Sequence, residues 1–142
     1  MRKKFAYGRN GKLVRDKCLE FGLAKDCTTT FSYKYLEDEE FSVHLFNKLT
    51  EEAEEVITAK NKQELSAELG DLLDVIDTII EHNNISKSDL NKIRKRKHNI
   101  SGKFTTRLFV HWQELNPSPF YFHCLNNPDK YPELDIEIKP EE

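Results

Sequence analysis

The 142 residues suit a single domain, and 37% hydrophobic against 33% charged content describes a core beneath an unusually polar surface. A formal net charge of -3 points to neither a nucleic-acid nor a membrane partner. Three scattered cysteines (Cys18, Cys27 and Cys124) lack CxxC spacing and fit reduced thiols in a cytoplasmic protein better than disulfides or a zinc site.

In chain order, residues 1–34 carry Gly8, Gly11, Gly22 and the basic segment Lys12-Leu-Val-Arg-Asp-Lys17, which read as a loop and a short helix. The basic start has no apolar signal core behind it, so no secretory leader is expected. From about Leu36, Phe41, Leu45, Leu49, Ala53, Val56 and Ala59 recur at steps of three and four, predicting a helix that ends near Lys60-Asn61. A second helix runs through Leu65, Leu69, Leu72, Ile76 and Ile79 and stops at Asn83-Asn84. Ser86 is the expected N-cap of a third, mostly polar helix over about Lys87–His98. Residues 107–112 have some strand character. The tail from Asn116 holds all five prolines and several aromatics, which are expected to order it where they dock, while residues 139–142 are expected to fray. The fold class is therefore mainly α, built on an antiparallel helical hairpin that needs further helices to bury it.

The informative residues are Glu51-Glu52-Ala53-Glu54-Glu55 on the first long helix and Glu68-Leu69-Gly70-Asp71 on the second. Each helical residue advances about 100° around the axis. With Glu52 at zero, the apolar stripe spans about 20° to 100°, Glu55 lies near -60° and Glu51 near -100°. With Glu68 at zero the second helix repeats the pattern, with Asp71 near -60° and Asp74 near -120°. An acidic run is ordinarily a solvated face, and Glu54 fits that description. Glu52 and Glu68 do not, because a glutamate within an apolar stripe is costly unless compensated. Antiparallel packing would bring both pairs to one point, where four repelling carboxylates call for a hard divalent cation such as Mg²⁺. Gly70 is explained either by close helix approach or by simple tolerance. No GxxxxGK[ST] loop is present, and the five histidines show no paired ligand spacing. Trp112 and the tail aromatics are expected to pack over the helices rather than stack on a base.

The pattern EExxE, twelve residues, then ExxD resembles the all-α nucleoside triphosphate (NTP) pyrophosphohydrolases: the MazG-like, phosphoribosyl-ATP pyrophosphohydrolase and dimeric dUTPase group. Lys12-Leu-Val-Arg-Asp-Lys17 is similar to the KLVRDKIP opening of one branch, with Cys18-Leu19 in place of Ile-Pro. Arg96-Lys97 through Gly102-Lys103-Phe104 resembles that branch's basic RGGF-like closing element, with Ser101 replacing one glycine. The resemblance covers about residues 10–110 and implies a bundle domain over residues 1–110; the tail lies outside it, and 111–142 is expected to be an irregular C-terminal extension packing on the same domain. It implies Mg²⁺ (Mn²⁺ possible) held by Glu52, Glu55, Glu68 and Asp71. Glu51 would be the leading proton acceptor and Glu55 the second. Lys12, Arg15, Lys17, Lys48, Arg96, Lys97 and Lys103 are the candidates for binding substrate phosphates. The implied reaction is hydrolysis of an NTP-like substrate to a monophosphate and pyrophosphate by a homodimer or homotetramer. The alternatives are a phosphoribosyl-ATP pyrophosphohydrolase, or a non-catalytic nucleotide-binding helical oligomer.

Overall fold

The computed structural model describes residues 2–25 and 29–134; Cys27 and the expected fraying of 139–142 lie outside them. The described residues form five helices and no strand: α1 (Cys18–Lys25), α2 (Asp38–Thr58), α3 (Lys62–His82), α4 (Lys87–Ser101) and α5 (Pro119–Leu125). The chain divides into two compact units, Met1–Ile100 and Ser101–Glu142. None of these helices is long and apolar enough to cross a membrane.

The helix ends follow local chemistry. Asp38, Glu39 and Glu40 occupy the first turn of α2, where negative charge suits the helix dipole. Asn61 caps α3 by accepting from the amides of Gln63 and Glu64, at 3.0 and 2.9 Å, while Glu64 reaches back to the Lys60 amide at 2.9 Å. At the other end of α3, Asn84 takes the left-handed conformation (φ 53°), and the Ile85 amide donates to the Ile80 carbonyl at 2.9 Å. The paired asparagines are thus the stop that the sequence implies. Ser86 receives the Asp89 amide at 3.3 Å and caps α4.

In the first unit α2 and α3 pack on each other as the hairpin that the two apolar stripes predict. Among the described residues the buried apolar side chains are Leu45, Val75 and Ile80, whereas Leu65, Leu69, Leu73 and Ile76 on α3 remain exposed. The apolar stripe is therefore only half used by this one chain. Every residue of α4 except Leu90 is exposed. A Cβ on Gly70 would meet nothing within 4 Å, so close approach within this chain does not account for that glycine. Gly22 is different, since a Cβ there would come within 2.5 Å of the Phe31 ring.

In the second unit residues 107–112 are irregular rather than a strand. Their poor alternation offers no apolar face for pairing. The tail instead contains α5, whose N-cap Ser118 accepts from the Tyr121 amide at 3.2 Å, with Pro119 in the first turn. Ser-Pro is a helix-start signal in its own right, because proline lacks a donor that the first turn could not use. Phe120, His123 and Tyr131 cluster at ring separations of 5.7–6.0 Å, so the tail aromatics pack on one another.

Candidate metal centre

The hairpin brings the predicted carboxylates together. Glu52, Glu68 and Asp71 each offer an oxygen, all within 4.8 Å of one another, and so do Glu51, Glu52 and Glu55. Glu52 is common to both groups and is only 3% exposed, as its place within the apolar stripe of α2 requires. Glu51, Glu68 and Asp71 are half-buried, while Glu55 and Glu54 are exposed.

Cations line the rim of this cluster. Lys48 Nζ lies 2.6 Å from Glu52 Oε1 and 3.2 Å from Glu51 Oε1, one turn earlier on the same face of α2. Lys12 reaches across from the N-terminal segment to Glu51 Oε1 at 2.8 Å. Arg15 straddles two acids of α3, donating to Asp71 at 2.5 Å and Asp74 at 2.8 Å. Lys12, Arg15 and Lys48 are thus beside the acids. Lys17 ends the segment just before α1, and its carbonyl accepts the Phe21 amide. Arg96 and Lys97 lie on exposed turns of α4 and make no ion pair among the described residues, and Lys103 belongs to the second unit.

The electrostatics follow from these contacts. The hydrogen bond from Lys12, with help from Lys48, holds the Glu51 carboxyl below the usual carboxylate range against the opposing effect of burial. Glu55 is pushed up, first by desolvation and then by the proximity of Glu52, Glu68 and Glu51. Burial pulls the Lys48 ammonium down, but its bonds to Glu52 and Glu51 outweigh this and raise it. Arg15 is raised by its bonds to Asp74 and Asp71.

One atom tests whether a cation suits these residues. Glu52 Oε2 is buried and has no hydrogen-bond partner. A buried carboxylate oxygen left unpaired is costly; Lys48 serves only the other oxygen of this carboxylate, and Glu68 and Asp71 offer further oxygens beside it. An all-oxygen donor set of this kind matches a hard divalent ion that keeps some sites for water and phosphate. The residues fit such an ion.

A further group at the site goes unmarked by any motif. A cavity of about 440 Å³ adjoins the acids, lined by loop residues 8 and 10–13 and by His44, Asn47, Lys48 and Glu51 of α2. His44 and Asn47 carry no metal-ligand spacing, but their steps of three and four residues from Lys48 and Glu51 place all four on one helix face. That spacing is the one sequence signal that could have found them.

The phosphoribosyl-ATP pyrophosphohydrolase family matches residues 19–99, more than half of the chain. Over 107 residues, 65% of the chain, the sequence is 33% identical to the histidine biosynthesis trifunctional protein of Saccharomyces bayanus. That match covers 13% of the yeast protein, so the chain spans only a small part of this curated relative. No solved structure matches. The chain belongs to the phosphoribosyl-ATP pyrophosphohydrolase family, whose name places it among hydrolases of phosphoanhydride bonds.

Proposed function

We propose that this member of the family is a Mg²⁺-dependent pyrophosphohydrolase that cleaves the α–β phosphoanhydride of an NTP-like substrate, releasing a monophosphate and pyrophosphate. The observation that carries the reading is the convergence of Glu52, Glu68 and Asp71 around a buried, unpartnered carboxylate oxygen. The family match makes phosphoribosyl-ATP the first substrate to test within that class.

Glu52, Glu55, Glu68 and Asp71 would hold the ion. When bound, it supplies charge neutralisation on the phosphates and polarises water. The chain's own residues supply the rest. In the step itself, a water oxygen bonds to the α-phosphorus as the bond from that phosphorus to the bridging oxygen breaks. The electron pair leaves on pyrophosphate, and the water's proton passes to a carboxylate. Glu51 is engaged by Lys12 and Lys48, whereas Glu55 has no cation partner among the described residues. Glu55 is therefore the better placed acceptor, and Glu51 holds the two lysines in position. Lys12, Arg15 and Lys48 are near enough to exchange carboxylate partners for phosphate oxygens. Lys17, Arg96, Lys97 and Lys103 are left with a weaker case for phosphate binding.

A homodimer or homotetramer completes the reading. Leu73, 60% exposed in the middle of α3, and its neighbours Leu69 and Ile76 form an apolar face that a second hairpin would cover. Light scattering on the purified chain should report a mass of two or four copies.

Phosphoribosyl-ATP and a panel of canonical and modified NTPs, assayed for pyrophosphate release with Mg²⁺, test the activity. Pyrophosphate with a matching monophosphate is the expected pair of products. Release of inorganic phosphate alone, or nucleotide binding without product, would reject the reading.

A further inference from the structure

The cavity beside the acids has a definite chemical character. Its loop wall is shaped by Gly8 and Gly11, whose φ values of 62° and 81° suit glycine and turn the backbone over α2. Among its lining residues Leu13 is the one large apolar side chain, and the one ring is the imidazole of His44. Lys12 and Lys48 bring positive charge beside the Glu51 carboxylate, while Asn10, His44 and Asn47 bring polar groups able to donate hydrogen bonds. A purine pocket is mostly apolar and often aromatic, whereas phosphate oxygens call for cations and N–H donors. On α2, His44, Asn47, Lys48 and Glu51 share a face that rises about 10 Å from His44 to Glu51. Glu51 belongs to both the cavity wall and the carboxylate cluster. A phosphate chain whose α-phosphorus lies at the cluster therefore has beside it a polar cavity, carrying Lys12 and Lys48, into which to extend.

We propose that this cavity receives the β- and γ-phosphates, the future pyrophosphate, with Asn10, His44 and Asn47 as direct donors, and that the nucleoside lies on the other side of the acids. The proposal rests on the pyrophosphohydrolase reading above. Loop residues 8 and 10–13 precede the family match at 19–99, whereas His44, Asn47, Lys48 and Glu51 lie within it. Asn10, His44 and Asn47 then determine how firmly the leaving group is held, separately from what recognises the base.

Calorimetric titration of the full chain with magnesium pyrophosphate, and separately with AMP, tests the assignment without needing turnover. His44→Ala and Asn47→Ala should each weaken pyrophosphate binding roughly tenfold, the scale of one hydrogen bond to a charged group. AMP affinity should stay within about twofold. Asn47→Asp keeps the side-chain shape but adds a like charge, and should weaken pyrophosphate more than Asn47→Ala does. Circular dichroism on each variant excludes loss of fold, and if one variant fails this control the other two carry the test. Weakened AMP binding with unchanged pyrophosphate binding would overturn the subsite, and so would no change in either ligand. If wild type binds pyrophosphate with the expected variant pattern but hydrolyses no nucleotide, the subsite stands and the catalytic reading fails.

Discussion

On α2, the acids Glu51 and Glu52 are met by lysines, Lys12 at 2.8 Å and Lys48 at 3.2 and 2.6 Å. On α3, a single arginine serves Asp71 and Asp74, and Glu68 has no cation partner among the described residues. The two walls present the same i, i+3 spacing of acids but are neutralised differently. Their rims are compensated by side chains, whereas the centre, formed by Glu52 Oε2, Glu55 and Glu68, is not. Positive charge is therefore still needed at the centre, and a divalent ion there would serve both walls at once.

The sharpest way to break this comparison is to neutralise one wall at a time. Glu52→Gln on α2 and Glu68→Gln on α3 should each lower turnover by at least about 10²-fold, the scale for losing a group that supports transition-state charge. Helical circular dichroism should be retained. Equal activity in wild type and both variants would mean that the centre is not the catalytic site.

A smaller effect is expected from the ion itself. Mg²⁺ at a hundredfold excess over its Kd should stabilise the chain by about 2.7 kcal/mol, provided that the unfolded chain does not bind it. Thermal melts with Mg²⁺ and with a chelator measure this. Because the ligands must be ionised, the gain should be present at pH 7.5 and disappear as pH falls through the carboxylate range, near 4.3 for ordinary glutamates. In the metal-free chain, burial and the neighbouring acids raise the Glu55 carboxyl, so Mg²⁺ must displace its proton at mildly acidic pH. An Mg²⁺ effect independent of pH would place the ion elsewhere.

The smallest effect belongs to the rim. Lys12→Met removes a partly exposed pair with Glu51 and should cost about 0.5 kcal/mol or less at pH 7. The folded-state pKa of Glu51 is lowered, so the pair stabilises the fold above the unfolded glutamate's pKa. That contribution is lost as pH falls through the lowered folded value. Denaturant melts of wild type and variant should therefore converge in acid, and a difference that persists below pH 3 would show that Lys12 acts through packing instead.

Much of this arrangement is legible in a linear reading. A 3.6-residue period locates α2 and α3, and the same period places Glu52 within the apolar stripe, where it is indeed buried. Asn61, the Asn83-Asn84 pair and Ser86 mark helix ends because capping involves only near neighbours in sequence. The helix α5 escapes such a reading because the tail prolines suggest irregular chain, although the Ser118-Pro119 pair carries its start signal.

The sequence by itself determined the hairpin and the alignment of its acids, because both follow from the fixed rotation of about 100° per residue along one helix. Only the tertiary structure decided that Lys12 settles on Glu51 and that Arg15 bridges Asp71 and Asp74, contacts that span 39 to 59 residues. It likewise decided that the glycine-turned loop and the His44–Asn47 face enclose a cavity beside those acids. No local period encodes such contacts, since they depend on where a loop without regular hydrogen bonding comes to rest on a helix distant in sequence.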